Sequence, residues 1–325
     1  MTCPTVTVVM PVYNTARYVQ SAIDSVLAQT FTDFELLIVD DAGTDNSILL
    51  CRAYDDPRIR IISQENRGLA GARNTGIRNA AGLYIALLDS DDLWEPDKLA
   101  SHVAHLEGSP SIGVSYAASQ LIDEGGAPLR ILQNPKIRMI DPQDVFLRNP
   151  VGNGSAPVIR KAALNAIAFE NTERRELDFF DETFRQSEDI ECWCRIALTT
   201  DWEFEGIAGT FTRYRINEDG LSANVIRQFE TWSRVRDRVA ELDPDFAERW
   251  AKPAEAFQLR YLARRCVRMG DGAMAWILMK DALAASPSIL WREPAKSITT
   301  LVAAAVLRFL PARLNAPLQA AIEKA

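Results

Sequence analysis

The stretch of residues 83–92 reads LYIALLDSDD. Its first six residues, 83–88, are all hydrophobic, which is typical of a strand buried on both faces of a parallel sheet. The next four, 89–92, bring three carboxylates together, and such charges repel one another in a low-dielectric cleft. A hard divalent cation would relieve this repulsion, since Mg²⁺ and Mn²⁺ take carboxylate and phosphate oxygens. An acidic turn that caps the following helix is the alternative, but the position after so apolar a strand favours a metal site.

The residues before this stretch alternate between strand-like and helix-like patterns. Val6–Met10, Phe34–Val39 and Ile59–Ile62 are predicted strands, and the hydrophobic residues of segment 19–27 recur on one helical face. This alternation predicts an α/β fold with a Rossmann-like, mostly parallel sheet flanked by helices. Because ligands of such sheets bind beyond the carboxyl ends of the strands, we expect the functional site there.

A second acid pair, Asp40 and Asp41, also follows a predicted strand. Adjacent carboxylates can accept hydrogen bonds from the N–H groups of a nucleobase and from ribose hydroxyls. The alternative is turn formation, because Asp favours turns and Gly43 follows. The pair alone leaves both interpretations open.

The segment 66–74, NRGLAGARN, contains two glycines and two arginines ahead of a predicted helix. Arg67 and Arg73 offer planar donors for phosphate, and Gly68 allows close approach of the backbone. The segment is neither a Walker loop nor a GxGxxG motif. A flexible loop before a helix explains the glycines, taken singly, equally well.

A further acid pair, Glu188 and Asp189, opens the predicted helix that carries Trp193. Acidic residues in a first helical turn are either chemically active or plain partners of the helix dipole. For an isolated pair the second interpretation is favoured. His102 and His105 are interpreted as solvent-facing residues of a helix rather than as metal ligands.

Composition excludes several classes of protein. The chain has 325 residues with 36 Lys+Arg against 44 Asp+Glu, a net charge of -8 and a pI of about 5.1, which argues against nucleic-acid binding. The 5 cysteines form no CxxC pair, which favours a reducing cytoplasm. No apolar run reaches the roughly 20 residues that a bilayer span needs.

The chain is predicted to divide into 1–222 and a helical region, 223–325. Hydrophobic residues of segment 298–310 fall on one helical face, with Arg308 nearby. This face either lies at a membrane surface or packs on the catalytic domain or a second subunit, as in a dimer. Packing is slightly favoured.

Taken together, the motifs resemble the family 2 glycosyltransferases, nucleotide-sugar enzymes of the GT-A fold, over residues 5–222. The matching segments are Pro11-Val12-Tyr13-Asn14, Ile38-Val39-Asp40-Asp41, 66–76, Leu87–Asp92, Ser187-Glu188-Asp189, Tyr214–Asn217 and Leu221-Ser222. Their order and spacing carry the resemblance, since none is specific alone. The resemblance implies a nucleotide-sugar-binding half, 1–112, and an acceptor-binding half, 113–222.

The resemblance also implies roles for individual residues. Asp41 would recognise the base, commonly uracil, Asp91 would hold a Mn²⁺ or Mg²⁺ on the diphosphate, and Asp189 would be the general base. Contacts with the nucleotide sugar are expected from Pro11, Tyr13, Asp40, Asp41, Arg67, Gly68, Arg73, Asp89 and Ser90. Acceptor contacts or support are expected from Glu188, Trp193 and Asn217. Asn217 departs from the family, in which many members carry a histidine that approaches the metal or diphosphate.

The function that this resemblance implies is inverting, non-processive transfer of a sugar, commonly from a UDP-sugar, to a hydroxyl of a glycan or lipid-linked acceptor. A Gln-x-x-Arg-Trp sequence, which marks processive polymerases in this family, is absent. Cell-surface polysaccharide synthesis, in the cytoplasm or at the cytoplasmic membrane face, is the expected setting. One alternative is a non-catalytic subunit that binds nucleotide sugars. A sugar nucleotidyltransferase is disfavoured, because Pro11-Val12-Tyr13-Asn14 stands where those enzymes usually have a Gly-rich loop.

Overall fold

A computed structural model describes residues 3–217 and 225–310. The chain divides into two compact units. The first comprises Met1–Val145 and Pro150–Glu218, and the second comprises Phe146–Asn149 and Asp219–Ala325. The predicted boundary after Ser222, and the Leu221-Ser222 motif, lie outside the described residues.

The strands of the first unit lie between residues 6 and 215. They are β1 Val6–Val12, β2 Phe34–Asp40, β3 Ile59–Ser63, β4 Tyr84–Leu87, β5 Leu93–Trp94, β6 Ile112–Ile122, β7 Pro128–Gln133, β8 Val158–Arg160, β9 Phe169–Asn171, β10 Glu176–Asp178 and β11 Glu203–Arg215. The helices up to residue 199 are α1 Val19–Leu27, α2 Ser47–Cys51, α3 Gly68–Asn79, α4 Lys98–Gly108, α5 Pro142–Arg148, α6 Lys161–Ala166 and α7 Glu188–Thr199.

One mixed sheet organises the first unit, in the order β3-β2-β1-β4-β8-β6-β11-β5, with β7 paired to β6. The first four strands in this order are parallel, and Val9 of β1 is in register with Leu37 of β2 and Leu87 of β4. Strand β8 is antiparallel to both of its neighbours. The predicted fold class, an α/β sheet flanked by helices, is confirmed.

Hydrophobic burial explains why the parallel strands lie at the centre. Every residue of β1 and β4 is buried, and Val19, Ala22, Ile23 and Val26 of α1 pack against this core, as the helical pattern predicts. The strand predicted for Val6–Met10 is two residues longer in the structure, because it continues through Pro11 to Val12. Pro11 is tolerated since the pairing of β1 with β4 stops at Val9, so its missing N–H leaves no ladder bond unmade.

The second unit is helical in its described residues, as predicted. Its helices are α8 Val225–Leu242, α9 Pro244–Arg268, α10 Gly272–Ala285, α11 Ile289–Arg292 and α12 Pro294–Phe309. Asp243 and Asp271 cap α9 and α10 by accepting N–H groups of Phe246 and Met274. Among the described residues, every helix is too short or too polar to span a membrane.

The interpretation of both histidines as solvent-facing is wrong for His102, which is fully buried. Its Nδ1 lies 2.7 Å from Ser115 Oγ, and His105 Nδ1 lies 2.8 Å from the same hydroxyl. Burial, with the nearby charges of Lys98 and His105, lowers the pKa of His102 well below its usual value. The ring is therefore a neutral core residue at neutral pH.

The apolar face predicted on the last helix has no fully buried member. It comprises Ile298, Leu301, Val302, Ala305, Val306, Phe309 and Leu310, which are exposed or half-buried. Ser297, Thr300 and Ala304 are the buried residues of α12, whereas Ile298 and Val302 are 52% and 55% exposed. The small residues face inward because they allow neighbouring helices to approach closely. The role of the exposed residues, at a membrane or in a dimer, stays a prediction.

Candidate active site

The acidic turn after β4 is held by residues from distant parts of the first unit. Ser155 Oγ lies 3.0 Å from the Asp89 backbone N and donates to Asp92 Oδ2 at 2.6 Å. Asp92 Oδ1 also accepts the backbone N–H of Arg215 at 2.8 Å. Asp92 is fully buried, and burial together with the charge of Asp91 raises its pKa well above the usual value. Asp92 therefore anchors the turn, which leaves Asp89 and Asp91 for a ligand.

Arg73 connects this turn to helix α7. Its guanidinium donates to Asp89 Oδ1 and to Glu188 Oε1, both at 2.8 Å. The Arg73 side chain is 1% exposed. Burial alone would lower the pKa of Arg73, but the neighbouring carboxylates, Asp89 first, more than offset it and leave the pKa raised. Arg73 is an internal cation that joins two acidic segments, and its expected contact with the nucleotide stays a prediction.

Gly154 lies against this cation. A Cβ at this position would be 2.1 Å from Arg73 Nη2 and 2.9 Å from Asp89 Oδ2. Real Cβ atoms essentially never approach other atoms so closely, so any larger residue would displace the guanidinium. The glycine therefore helps to fix the Arg73–Asp89 contact.

Glu188 and Asp189 begin α7 beside Arg73. Ser187, which precedes them, has a positive φ of 61°, and the α7 N-terminus favours negative charge. Burial raises the pKa of Glu188 to about 7, although Arg73 opposes the shift. Burial also raises the pKa of Asp189, again against the effect of Arg73. Asp189 is consequently a stronger base than a carboxylate in water.

Asp91 faces the end of β11. Its Oδ2 accepts the side-chain N–H of Asn217 at 2.7 Å, and its backbone carbonyl accepts Nε–H of Arg215 at 2.7 Å. Burial, followed by the charge of Asp89, raises the pKa of Asp91 to about 6. An acid whose proton affinity is raised by a neighbouring carboxylate marks a place where a cation would bind favourably.

The donor set around Asp91 fits a hard divalent cation that is shared with a ligand. Asn217 Oδ1 is buried next to Asp91 and has no hydrogen-bond partner within the described residues. Among residues 3–217 and 225–310, no group of three or more His, Cys, Asp or Glu side chains is arranged to hold a metal. A site with only Asp91, Asp89 and one amide oxygen still suits Mg²⁺ or Mn²⁺. These ions often take one or two carboxylates from the protein and complete their coordination shell with phosphates and water.

Asp41 is built into the start of α3. Its Oδ1 accepts the Arg67 N–H at 2.8 Å, its Oδ2 accepts the Gly68 N–H at 2.9 Å, and the residue is 2% exposed. Gly68 has a φ of +72°, a conformation that favours glycine. Asp41 therefore positions the loop that leads into α3. Its recognition of a base stays a prediction.

Arg67 has internal carboxylate partners as well. Its guanidinium pairs with Glu182, and Asp178 lies 3.8 Å from it. A phosphate that binds Arg67 would have to compete with these acids. The expected phosphate contact of Arg67 stays a prediction.

The other expected nucleotide contacts lie near the carboxyl ends of the parallel strands. Tyr13, which is 50% exposed, directly follows β1, whereas Pro11 is buried within that strand. Asp40 ends β2 and accepts the Ser63 hydroxyl at 3.2 Å. Ser90 is buried, and its hydroxyl lies 2.9 Å from that of Thr15. The Ser90–Thr15 contact links the loop after β1 to the acidic turn.

Trp193 is a core residue. It is fully buried and packs edge-to-face on Phe180, with ring centroids 6.1 Å apart. Its packing on Phe180 supports α7, and a contact with an acceptor stays a prediction for this side chain.

Sequence reasoning missed several residues that build the site. Ser155 and Thr15 hold the acidic turn through hydroxyls, and no sequence signal marks them. Arg215 lies within the Tyr214–Asn217 motif, which predicts proximity to the site without assigning this side chain a role. Its Nη1 donates to the carbonyls of Asp123 and Glu124, both at 2.9 Å.

An α/β sheet with acids beyond β2 and β4, and an acidic helix start joined to Asp89 of the β4 turn through Arg73, is an arrangement of the GT-A type. Residues 7–167 match the profile of Glycosyl transferase family 2. Over this region the chain belongs to this family.

Several bacterial relatives carry glycosyltransferase names. The chain is 28% identical over 236 residues to Escherichia coli WfgD, a UDP-Glc:alpha-D-GlcNAc-diphosphoundecaprenol beta-1,3-glucosyltransferase, covering 72% of this chain and 86% of WfgD. It is 28% identical over 239 residues to Bacillus subtilis TuaG, a putative teichuronic acid biosynthesis glycosyltransferase, covering 72% and 88%. An uncharacterized Rickettsia felis glycosyltransferase is 30% identical over 207 residues, and the match covers 62% of this chain but only 33% of that relative.

Solved structures share the fold at low sequence identity. S. aureus TarS 1-349 in complex with UDP-GlcNAc has a TM-score of 0.60 at 16% identity, covering 94% of this chain and 91% of that one. The mannosyltransferase PcManGT of Pyrobaculum calidifontis, in complex with GDP-Man and Mn²⁺, has a TM-score of 0.58 at 20% identity, covering 99% and 86%.

Proposed function

We propose that the chain is an inverting glycosyltransferase that moves one sugar at a time from a nucleoside diphosphate sugar, by preference a UDP-sugar, to a hydroxyl acceptor. The observation that carries this proposal is the bridge of Arg73 from Asp89 to Glu188. It joins the acidic turn expected to face the diphosphate to the helix start that holds Asp189. A donor-binding group and a base are thereby joined in one site.

The donor would bind along the carboxyl ends of β1, β2 and β4, with residues 1–112 forming the donor half. A Mn²⁺ or Mg²⁺ bound there would neutralise charge on the departing diphosphate. Asp91 would hold the cation, with Asp89 beside it. Asn217 Oδ1, which has no partner among residues 3–217 and 225–310, would be a further oxygen donor. This oxygen would take the place of the histidine found in many members of the family.

Asp189 would accept the proton of the acceptor hydroxyl. As the new bond forms between that oxygen and the anomeric carbon, the bond from this carbon to the diphosphate breaks, and the diphosphate leaves with the electron pair. Attack from the opposite face inverts the anomeric configuration. The raised pKa of Asp189 favours proton transfer, and general-base help is worth about 10²- to 10⁴-fold in rate.

The acceptor would be a glycan or a lipid-linked saccharide, bound by residues 113–222. The names of two relatives support this class, since WfgD is named for a diphosphoundecaprenol acceptor and TuaG for teichuronic acid biosynthesis. We therefore place the reaction in cell-surface polysaccharide synthesis, in the cytoplasm or at the cytoplasmic face of the membrane. Membrane contact or dimerisation through the C-terminal helices belongs to the same proposal.

Release of nucleoside diphosphate tests this function. The full chain is incubated with Mn²⁺, with UDP-glucose, UDP-GlcNAc or GDP-mannose, and with a panel of saccharide and lipid-linked acceptors. We expect acceptor-dependent release, which Asp189→Asn lowers at least 100-fold while donor binding, measured by thermal shift, is kept. The control Asp201→Asn, an exposed acid just after α7, should leave the rate unchanged.

Two outcomes would refute parts of the proposal. Transfer by Asp189→Asn at near the wild-type rate would contradict the base assignment. If the donor binds but none of the acceptors in the panel gives diphosphate release, the result would instead support a non-catalytic subunit that binds nucleotide sugars.

A further inference from the structure

Four arginines of the second unit lie near one another, and two of them bond to one carboxylate, that of Glu293. Arg260, Arg264 and Arg268 are four residues apart on α9, so they form a row with about 6 Å between successive members. Arg148 joins this row, because it and Arg260 both bond to Glu293 Oε2. We call this set the arginine row.

The arginine row has more positive charges than carboxylate partners. Within the described residues, its ion pairs all end on Glu293, which Lys296 Nζ also approaches, at 3.2 Å. The side chains of Arg264 and Arg268 make no hydrogen bond or ion pair with any described residue. A chain whose net charge is -8 thus concentrates positive charge at one place.

Burial makes this concentration of charge costly. Arg260 is 3% exposed, its Nε has no partner within the described residues, and it lies over the Phe257 ring at 4.9 Å, with Arg148 over the same ring at 5.5 Å. Burial, followed by the charges of Arg268 and Arg260, lowers the pKa of Arg264. Repelling guanidinium groups with unused donors would be stabilised by an anion.

Helix capping explains only one member of the row. A cation in the last turn of α9 interacts favourably with the helix dipole, which accounts for Arg268. Arg264 lies one turn earlier and Arg260 two turns earlier, and that favourable effect is confined to the last turn. Glu293 holds Arg148 and Arg260, and Arg260 Nη1 also donates to Ser297 Oγ at 2.8 Å. These contacts and the helix dipole leave the position of Arg264 unexplained.

We propose that the arginine row binds a phosphate or diphosphate group. Guanidinium groups present paired N–H donors that match phosphate oxygens, and several of them are suited to a doubly charged anion. The phosphate could belong to an anionic lipid headgroup or to a soluble molecule, since both offer the same oxygens. This site lies in the second unit and is independent of the proposed transfer reaction.

Two binding assays on the full chain, both in EDTA, test the proposal and separate the sources. Co-sedimentation compares vesicles of phosphatidylglycerol and phosphatidylcholine with vesicles of phosphatidylcholine alone, and calorimetry measures inorganic diphosphate. Wild type is compared with Arg264→Gln/Arg268→Gln. The matched control is Arg249→Gln/Lys252→Gln, which removes two exposed charges from the same helix.

We expect at least one probe to bind wild type and to lose affinity at least tenfold in the Arg264→Gln/Arg268→Gln variant, with the control within twofold. Arg264→Lys/Arg268→Lys, which keeps the charge, should retain part of the binding and guards against a folding defect. Vesicle binding identifies a lipid source and diphosphate binding a soluble one, and either supports the site. Failure of both probes to bind wild type, or equal losses in both Gln variants, would overturn it.

Discussion

Replacing Arg73 by Met tests the central contact of the site. The substitution keeps a side chain of similar length but removes the donors that hold Asp89 and Glu188, each at 2.8 Å. Because Arg73 is 1% exposed, water cannot replace it without rearrangement. Breaking a buried ion pair by removing one partner costs about 3–5 kcal/mol, a large part of the roughly 5–15 kcal/mol that stabilises a typical protein.

The pH dependence of this loss has a definite sign. The pKa of Glu188 is about 7 and is held down by Arg73, so the substitution raises it further. When the pKa of a carboxyl is higher in the folded than in the unfolded protein, the protein loses stability as pH rises, until pH passes the pKa of the folded state. The titration of Glu188 therefore stops lowering the stability of the wild type near pH 7. In the variant the free energy of unfolding continues to fall above pH 7, by at most about 1.4 kcal/mol per pH unit. The gap between them should therefore widen from pH 6 to pH 8.

Urea unfolding followed by tryptophan fluorescence measures the effect. Adding Glu188→Gln to Arg73→Met should recover part of the loss, since one of the stranded carboxylates is then neutral. The control Arg60→Gln breaks a pair with Glu35 in which the arginine is 52% exposed, and it should cost less than about 1 kcal/mol. A loss below 1 kcal/mol at pH 8 for Arg73→Met, or no recovery in the double variant, would refute the reasoning.

Three further predictions address other parts of the first unit. Gly154→Ala should destabilise the fold by about 1–3 kcal/mol and lower transfer, because its Cβ would collide with Arg73, while Gly108→Ala, with nothing within 4 Å, should be neutral in the same urea titration. His102→Asn should make stability depend less on pH in acid, because a protein with a neutral buried histidine loses about 1.4 kcal/mol of stability per pH unit as pH falls below roughly 6.5. Unfolding measured at pH 6.5 and 5.5 checks this, and an equal loss in variant and wild type would contradict it. EDTA should abolish transfer and added Mn²⁺ restore it, and undiminished turnover in the chelator would exclude the cation from the reaction.

The strands and helices of the first hundred residues could be predicted closely because their signals are local. The predicted strand at 34–39 is observed as Phe34–Asp40, and the α1 face of Val19, Ala22, Ile23 and Val26 is buried. The antiparallel position of β8, between β4 and β6, could not be predicted. Three residues carry too little pattern to specify partners that lie far away in sequence.

The sequence by itself determined that acids follow two buried strands and open a later helix, because strand and helix periodicity and the order of motifs are properties of neighbouring residues. Tertiary structure alone decided which of them face inward. Asp92 anchors a turn, and Trp193 fills the core. Arg73 bridges Asp89 to Glu188, and Glu188 lies 115 positions after Arg73 in the sequence. The physical reason is that a charge or an aromatic ring has no fixed role in a linear pattern: burial and the partner that folding brings within 3 Å determine whether it anchors, packs or reacts.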